Sequence, residues 1–159
     1  MNKFTIRLKI SAFASLCLVF CAFLSHGPLE EQSVYIQKKL TDHYDDQQDG
    51  SAVKQYELKI TNNGFCRYKR YFSNGKTEYF SFNLAKFKTM DYLGTVISGK
   101  LYLRTLSDDV IVQTYNDKKG DVDSMASCLV IPLKNLEAED LNDFNGKFQK
   151  MNALLRAHK

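Results

Sequence analysis

Tryptophan is absent from the 159 residues, proline occurs twice and histidine three times. Each scarcity closes off a class of function. Without tryptophan, one common ring for stacking on sugars is missing, although tyrosine can take its place. The histidines, His26, His43 and His158, stand far apart in the chain. There is no H-E-x-x-H and no C-x-x-C pair, so no metal site is expected. Nor is there a G-x-S-x-G elbow or a phosphate-cradling glycine loop, and no cofactor is expected either. No internal repeat and no low-complexity tract breaks the chain after its first residues, which fits a single domain.

What is present begins with MNKFTIRLKISAFASLCLVFCAFLSHGPLEEQ. Lys3, Arg7 and Lys9 form a basic start, Ile10 to Leu24 carries no charge, and Gly27-Pro28 follows. That order is the pattern of a secretory signal. The apolar run is short for a bilayer span, which needs about 20 residues. No A-x-A-like site closes the segment, and Phe20 before Cys21 does not suit a lipid anchor. Residues 1–27 are therefore read as a signal peptide or a signal anchor, with cleavage preferred. The expected location is periplasmic or secreted, or anchored to the membrane by residues 10–24, with the basic end in the cytoplasm.

Without residues 1–27 the chain keeps 19 basic and 18 acidic side chains, a net charge of +1 instead of +4. The basic balance thus belongs to the targeting segment, and nucleic acid is not expected as a partner. Cys17 and Cys21 lie in that segment. Cys66 and Cys128 remain, and an oxidising compartment permits a disulfide between them. The alternative is two buried thiols.

Residues 28–53 read as a helix and a polar loop. Glu30 and Glu31 sit in the helix's first turn and Lys38 and Lys39 come later, which suits the macrodipole. Val34, Ile36, Leu40 and Tyr44 make an imperfect apolar stripe. In the loop, Asp45, Gln47, Asp49 and Gly50 fall at positions 1, 3, 5 and 6 of a calcium loop. Gln47 and Tyr56 stand where an Asn or Asp and a bidentate Glu are required, so the segment reads as a solvated connector. Asp117, Asp121 and Asp123 form a second acidic loop, diluted by Lys118 and Lys119.

Residues 54–159 form the remaining α+β domain. Tyr56, Leu58 and Ile60 alternate with charged and polar neighbours, the period of a half-buried strand, and Asn62-Asn63-Gly64 turns the chain. The stretch CRYKRYFSNGKTEYFSF, residues 66–82, crowds four basic side chains among six rings. A two-residue Asn74-Gly75 turn would mix both faces of this hairpin. A three-residue loop Ser73-Asn74-Gly75, with Gly75 in the left-handed conformation, separates them. Cys66 then faces Phe82, Tyr68 faces Phe80 and Arg70 faces Glu78. Arg67, Lys69, Tyr71 and Tyr79 share the other, solvated face.

Further strands follow around Leu101 and Leu103, over VIVQTY, and along Met125, Ser127, Leu129, Ile131 and Leu133, where Pro132 marks a strand end or an edge. Asn135 is expected to cap a last helix. Its stripe is Leu141, Phe144, Phe148, Met151 and Leu155, and Lys150, Arg156, His158 and Lys159 gather at its end. The sum is an antiparallel sheet or half-open barrel of about six to seven strands, with an N-terminal helix and a C-terminal amphipathic helix packed on it. Over residues 54–157 this order of elements resembles that of pleckstrin-homology-like domains. The resemblance carries over no binding residue, and such a fold hosts many functions.

The function expected is that of an exported, non-catalytic domain which binds or assembles with something in the cell envelope. Arg67, Lys69, Tyr71 and Tyr79 are the candidate contacts for an anionic group on an envelope protein, a lipid headgroup or a glycan. The alternative is a carrier of a small apolar ligand or lipid, held between the sheet and the C-terminal helix. Catalysis by Cys66 with His43 as base is disfavoured, because Cys66 falls on the apolar face, where thiols are inert.

Overall fold

The computed structural model describes residues 27–48 and 52–157. The leader expected over residues 1–27 therefore lies outside the described residues except for Gly27. So do Asp49 and Gly50 of the acidic connector, and His158 and Lys159 at the basic end of the last helix.

Helix α1 spans Pro28–Asp42. Pro28 stands in its first turn, where the missing N–H has no helical partner to lose. Gln32, Ile36 and Leu40 recur every fourth residue and are fully buried. Val34, expected on the apolar stripe, is instead 56% exposed, and Gln32 holds an inward place.

Eight antiparallel strands follow: β1 (Val53–Ile60), β2 (Phe65–Phe72), β3 (Thr77–Asn83), β4 (Phe87–Gly94), β5 (Ser98–Thr105), β6 (Val110–Tyr115), β7 (Asp123–Ala126) and β8 (Cys128–Lys134). They make a five-stranded sheet in the order β1-β2-β3-β6-β7 and a three-stranded sheet in the order β4-β5-β8. The assembly is a partly open α+β arrangement, not a closed barrel. A 3-10 turn at Leu84–Lys86 carries the chain from the first sheet to the second. Helix α2, Ala138–Ala157, lies against that turn, α1 and β4.

The β2–β3 hairpin has the register that separates oil from water. Cys66 pairs with Phe82, Tyr68 with Phe80 and Arg70 with Glu78. Phe72 N–H donates to the Lys76 carbonyl at 2.9 Å, closing a three-residue loop in which Gly75 has φ +88°. Only glycine takes that conformation without strain. One residue fewer in the loop would have put Tyr68 and Phe82, both within 2% of full burial, on opposite faces and turned one of them toward water.

One core joins the layers. Leu58, Ile60, Cys66, Tyr68 and Phe82 supply it from the first sheet, and Leu101, Leu103, Leu129, Ile131 and Leu133 from the second. From α2 come Phe144, Phe148 and Met151, each at most 1% exposed, with the Phe148 ring stacked on Phe87 at 5.4 Å. Full burial of each such side chain contributes about 1.5–3 kcal/mol relative to leaving it in water. Two ion-pair and hydrogen-bond contacts fasten α1 to α2: Lys39 to Asp140 at 2.6 Å, and the Tyr35 hydroxyl to Asp143.

The expected last strand is two strands. The chain leaves the five-stranded sheet after Ala126 and enters the other at Cys128, with the Ser127 carbonyl accepting from Thr105 N–H at 2.9 Å. Met125, 52% exposed, and Ser127 therefore lie off the buried face that Leu129, Ile131 and Leu133 share. Unbroken period-two patterning does not reveal a change of sheet. This split, together with β4, raises the strand number to eight. Pro132 sits near the end of β8, an outer strand of its sheet, as expected.

Asn135 does not cap α2. It takes a left-handed conformation, φ +54°, and its N–H donates to the Ile97 carbonyl at 3.2 Å. The side chain that tolerates helix caps also tolerates this turn, and α2 begins three residues later.

Candidate functional site

The outer face of the five-stranded sheet is assembled by register. One cross-strand row holds Lys59, Arg67, Ser81, Ile111 and Met125, and the next holds Glu57, Lys69, Tyr79, Gln113 and Asp123. A third brings Tyr71, Thr77 and Tyr115 together. Arg67, Lys69, Tyr71 and Tyr79 thus share one face, as expected.

Their circumstances differ. The Lys69 ammonium lies 5.5 Å from the centre of the Tyr79 ring, and the Arg67 guanidinium 5.3 Å from that of Phe65. Neither cation has an ion pair among the described residues. Tyr71 is engaged: its hydroxyl donates to Glu57 at 2.7 Å, and that bond, then burial, pushes the phenol pKa up. The other two basic residues of the hairpin point to the opposite face. Arg70 is paired with Glu78, and Lys76 bridges Glu78 at 2.9 Å and Asp117 at 2.8 Å. Half of the hairpin's positive charge is therefore neutralised within the protein.

Arg67, Lys69, Tyr79 and Tyr115 line a shallow depression of about 320 Å³. Tyr115 and Lys59 had no place in the sequence-based site. Lys59 was legible as the outward neighbour of Leu58 and Ile60. Tyr115 was not, because its position depends on β6 pairing with β3, which sets it beside Thr77, 38 residues earlier in the chain with two strands of the other sheet between.

Cys66 and Cys128 are free thiols in different sheets, so the disulfide that the sequence permits is not formed in this structure. Cys66 is fully buried in β2, and burial pushes its thiol up to about 12. A thiol held neutral in this way is no nucleophile. His43, the candidate base for it, follows α1 with Nδ1 3.1 Å from the Lys134 carbonyl oxygen. Cys128 is half-buried, and burial raises its pKa as well.

Asp45, first position of the calcium-like pattern, has a buried carboxylate already occupied. It accepts from the Ser98 hydroxyl at 2.7 Å, from Gln48 Nε2 at 3.1 Å and from Gln47 N–H at 3.1 Å. No group of three or more His, Cys, Asp or Glu side chains suited to a metal ion occurs among the described residues. Among those residues no helix is long and apolar enough to cross a membrane.

The chain matches no protein-family model, and no curated protein or solved structure matches it. The resemblance to pleckstrin-homology-like domains therefore rests on the order of elements alone.

Proposed function

We propose that the protein is an exported, non-catalytic domain of the cell envelope that binds or assembles with an anionic partner through the outer face of its five-stranded sheet. The export half of this reading rests on the basic start and the uncharged apolar run of residues 1–27. The binding half rests on one observation: two cations without ion pairs, Arg67 and Lys69, meet two tyrosine rings around one depression. Such a face offers charge and ring surface together to a carboxylate or phosphate carried by an envelope protein, a lipid headgroup or a glycan. The apolar stripe of α2 is used up within the core by Phe144, Phe148 and Met151, so no observation favours a lipid carrier with its site beneath that helix.

The test replaces Arg67 and Lys69 with Ser in the native host and follows fractionation. Loss of envelope association, with the fold retained by circular dichroism, supports the reading. Unchanged association rules out the patch. Intact mass of the recovered protein tests export separately, since a processed product lacks about 25–27 residues.

A further inference from the structure

The chain carries three Asn-Gly pairs, at residues 63–64, 74–75 and 145–146. In this dipeptide the asparagine side chain is open to the next amide nitrogen, because glycine has no Cβ to shield it. Two of the pairs close the same turn. Between β1 and β2, Thr61 N–H donates to the Phe65 carbonyl at 2.9 Å, and Gly64 N–H to that of Thr61 at 2.9 Å. Between β2 and β3, Phe72 N–H donates to the Lys76 carbonyl at 2.9 Å, and Gly75 N–H to that of Phe72 at 3.0 Å. Both glycines have φ +88°. Dipeptide and backbone are therefore matched, and the packing differs.

Around Gly64 the packing is tight. Gly64 is buried, its carbonyl accepts from Leu84 N–H at 2.7 Å, and a Cβ there would stand 2.4 Å from the Leu155 side chain. The Asn63 side chain is held by the Thr61 hydroxyl, and the Asn63 carbonyl accepts from Asn83 Nδ2 at 3.1 Å. Asn145 and Gly146 lie within α2, whose backbone must unwind before they can react. At the hairpin tip, by contrast, Ser73, Asn74 and Gly75 are all exposed, and among the described residues nothing stands within 4 Å of a Cβ at Gly75. The Asn74 side-chain oxygen accepts from Lys76 N–H at 3.0 Å, which draws electron density from the carboxamide carbon. Rotating Asn74 toward Gly75 breaks hydrogen bonds of the loop and no packing, so this opening costs least.

We propose that Asn74 is a site of spontaneous deamidation, and that its isoaspartate product loosens the β2–β3 hairpin. The Gly75 nitrogen attacks Asn74 Cγ, its proton passes to the Asn74 amide nitrogen, and ammonia leaves a cyclic imide behind. Water opens the imide at either carbonyl, giving aspartate or isoaspartate. Aspartate keeps an acceptor for Lys76 N–H. Isoaspartate routes the main chain through the former side chain and adds one backbone atom to the loop. That loop sets the register which keeps Tyr68, Phe80 and Phe82 on one face, so lengthening it works against the pairing. Neither step depends on what the outer face binds.

The full-length protein is held folded in mildly alkaline buffer, with a second portion in denaturant. Peptide mass follows conversion at each asparagine, and labelling by an isoaspartyl methyltransferase separates the two products. In denaturant the three pairs should convert at comparable rates, because glycine follows each asparagine. In the folded protein Asn74 should convert at least about tenfold faster than Asn63 or Asn145. The isoaspartate form should unfold at lower denaturant than the parent, whereas the variant Asn74→Asp should match the parent. Asn63 or Asn145 keeping pace with Asn74 overturns the site, as does a folded Asn74 that stays intact while the denatured one converts. An isoaspartate form as stable as the parent overturns the effect on the hairpin.

Discussion

Gln37 stands beside Leu58 as a neighbouring strand would. Its side-chain Nε2 donates to the Leu58 carbonyl at 2.8 Å, and its Oε1 accepts from the Ile60 N–H at 2.6 Å. One residue of α1 thereby closes part of the outer edge of β1, an end strand of its sheet. Open edges are templates for pairing with other chains.

Gln37→Ala removes both bonds and bares both backbone groups. A loss of about 1–3 kcal/mol in denaturant unfolding is expected, with greater self-association than the parent in sedimentation. Gln37→Glu keeps the acceptor for Ile60 but sets a carboxylate against the Leu58 carbonyl, so it should not restore the parent. A variant with parental stability and parental sedimentation would show that Gln37 does not guard the edge.

Asn152 ties α2 to the turn that links the sheets. The side chain is 7% exposed, and its Nδ2 donates to the carbonyls of Leu84 at 2.7 Å and Phe87 at 3.2 Å. Asn152→Leu preserves the bulk and strands two buried acceptors. The expected cost is about 2–3 kcal/mol, and hydrogen exchange around residues 84–87 should rise more than elsewhere. A cost under about 0.5 kcal/mol, within the range of an ordinary surface substitution, would rule out this role.

These two residues also mark where sequence reading stops. The hairpin register was legible, because only one loop length sorts Cys66, Tyr68, Phe80 and Phe82 from Arg67, Lys69, Tyr71 and Tyr79. The α2 stripe was legible for the same reason, with spacings of three and four over about four turns. Gln37, Gln32 and Asn152 were not, since a polar residue on an inward helix position looks like an imperfection of the stripe. For Gln37 and Asn152 the partner is a backbone group of a distant element, whereas the buried side chain of Gln32 has no hydrogen-bond partner among the described residues. The change of sheet at Ser127 was hidden because both strands share one alternation. Of the outer face, the four named residues could be placed together from the hairpin alone, but Tyr115 needed the long-range β3–β6 pairing.

Gly146 and Gly75 make a matched pair. Neither has a heavy atom within 4 Å of where a Cβ would stand, so an added methyl meets open space at both. They differ in backbone. Gly146 is an exposed helical residue of α2, whereas Gly75 has φ +88°. Gly146→Ala should stabilise the protein by about 0.5–1 kcal/mol by restricting the unfolded chain and favouring helix. Gly75→Ala should destabilise it by about 1 kcal/mol or more, because an L-residue resists that turn. Thermal unfolding of the two variants beside the parent decides the matter, and shifts of the same sign would contradict it.

Asp45 should give the protein part of its sensitivity to acid. The carboxylate is only 4% exposed. Burial pushes its pKa up, but hydrogen bonds from Ser98, Gln48 and the Gln47 backbone, helped by the charge of Lys134, bring it below the usual aspartate value. A carboxyl with a depressed folded pKa stabilises the fold fully above its unfolded value, about 3.9. It loses that contribution as the pH falls through the lower folded value. Protonation replaces an acceptor with a donor facing Ser98 and Gln48, so the connector after α1 should loosen in acid. Asp45→Asn removes this titration and leaves those of Asp46, Asp117 and Asp140, which ion pairs with lysines also depress. Between about pH 5 and pH 2 the parent should therefore lose stability more steeply than the variant. Carbon-13 titration of the Asp45 carboxyl should give a midpoint below about 3.9. A midpoint above that value would mean that desolvation outweighs the three hydrogen bonds, and the slope difference would then reverse sign.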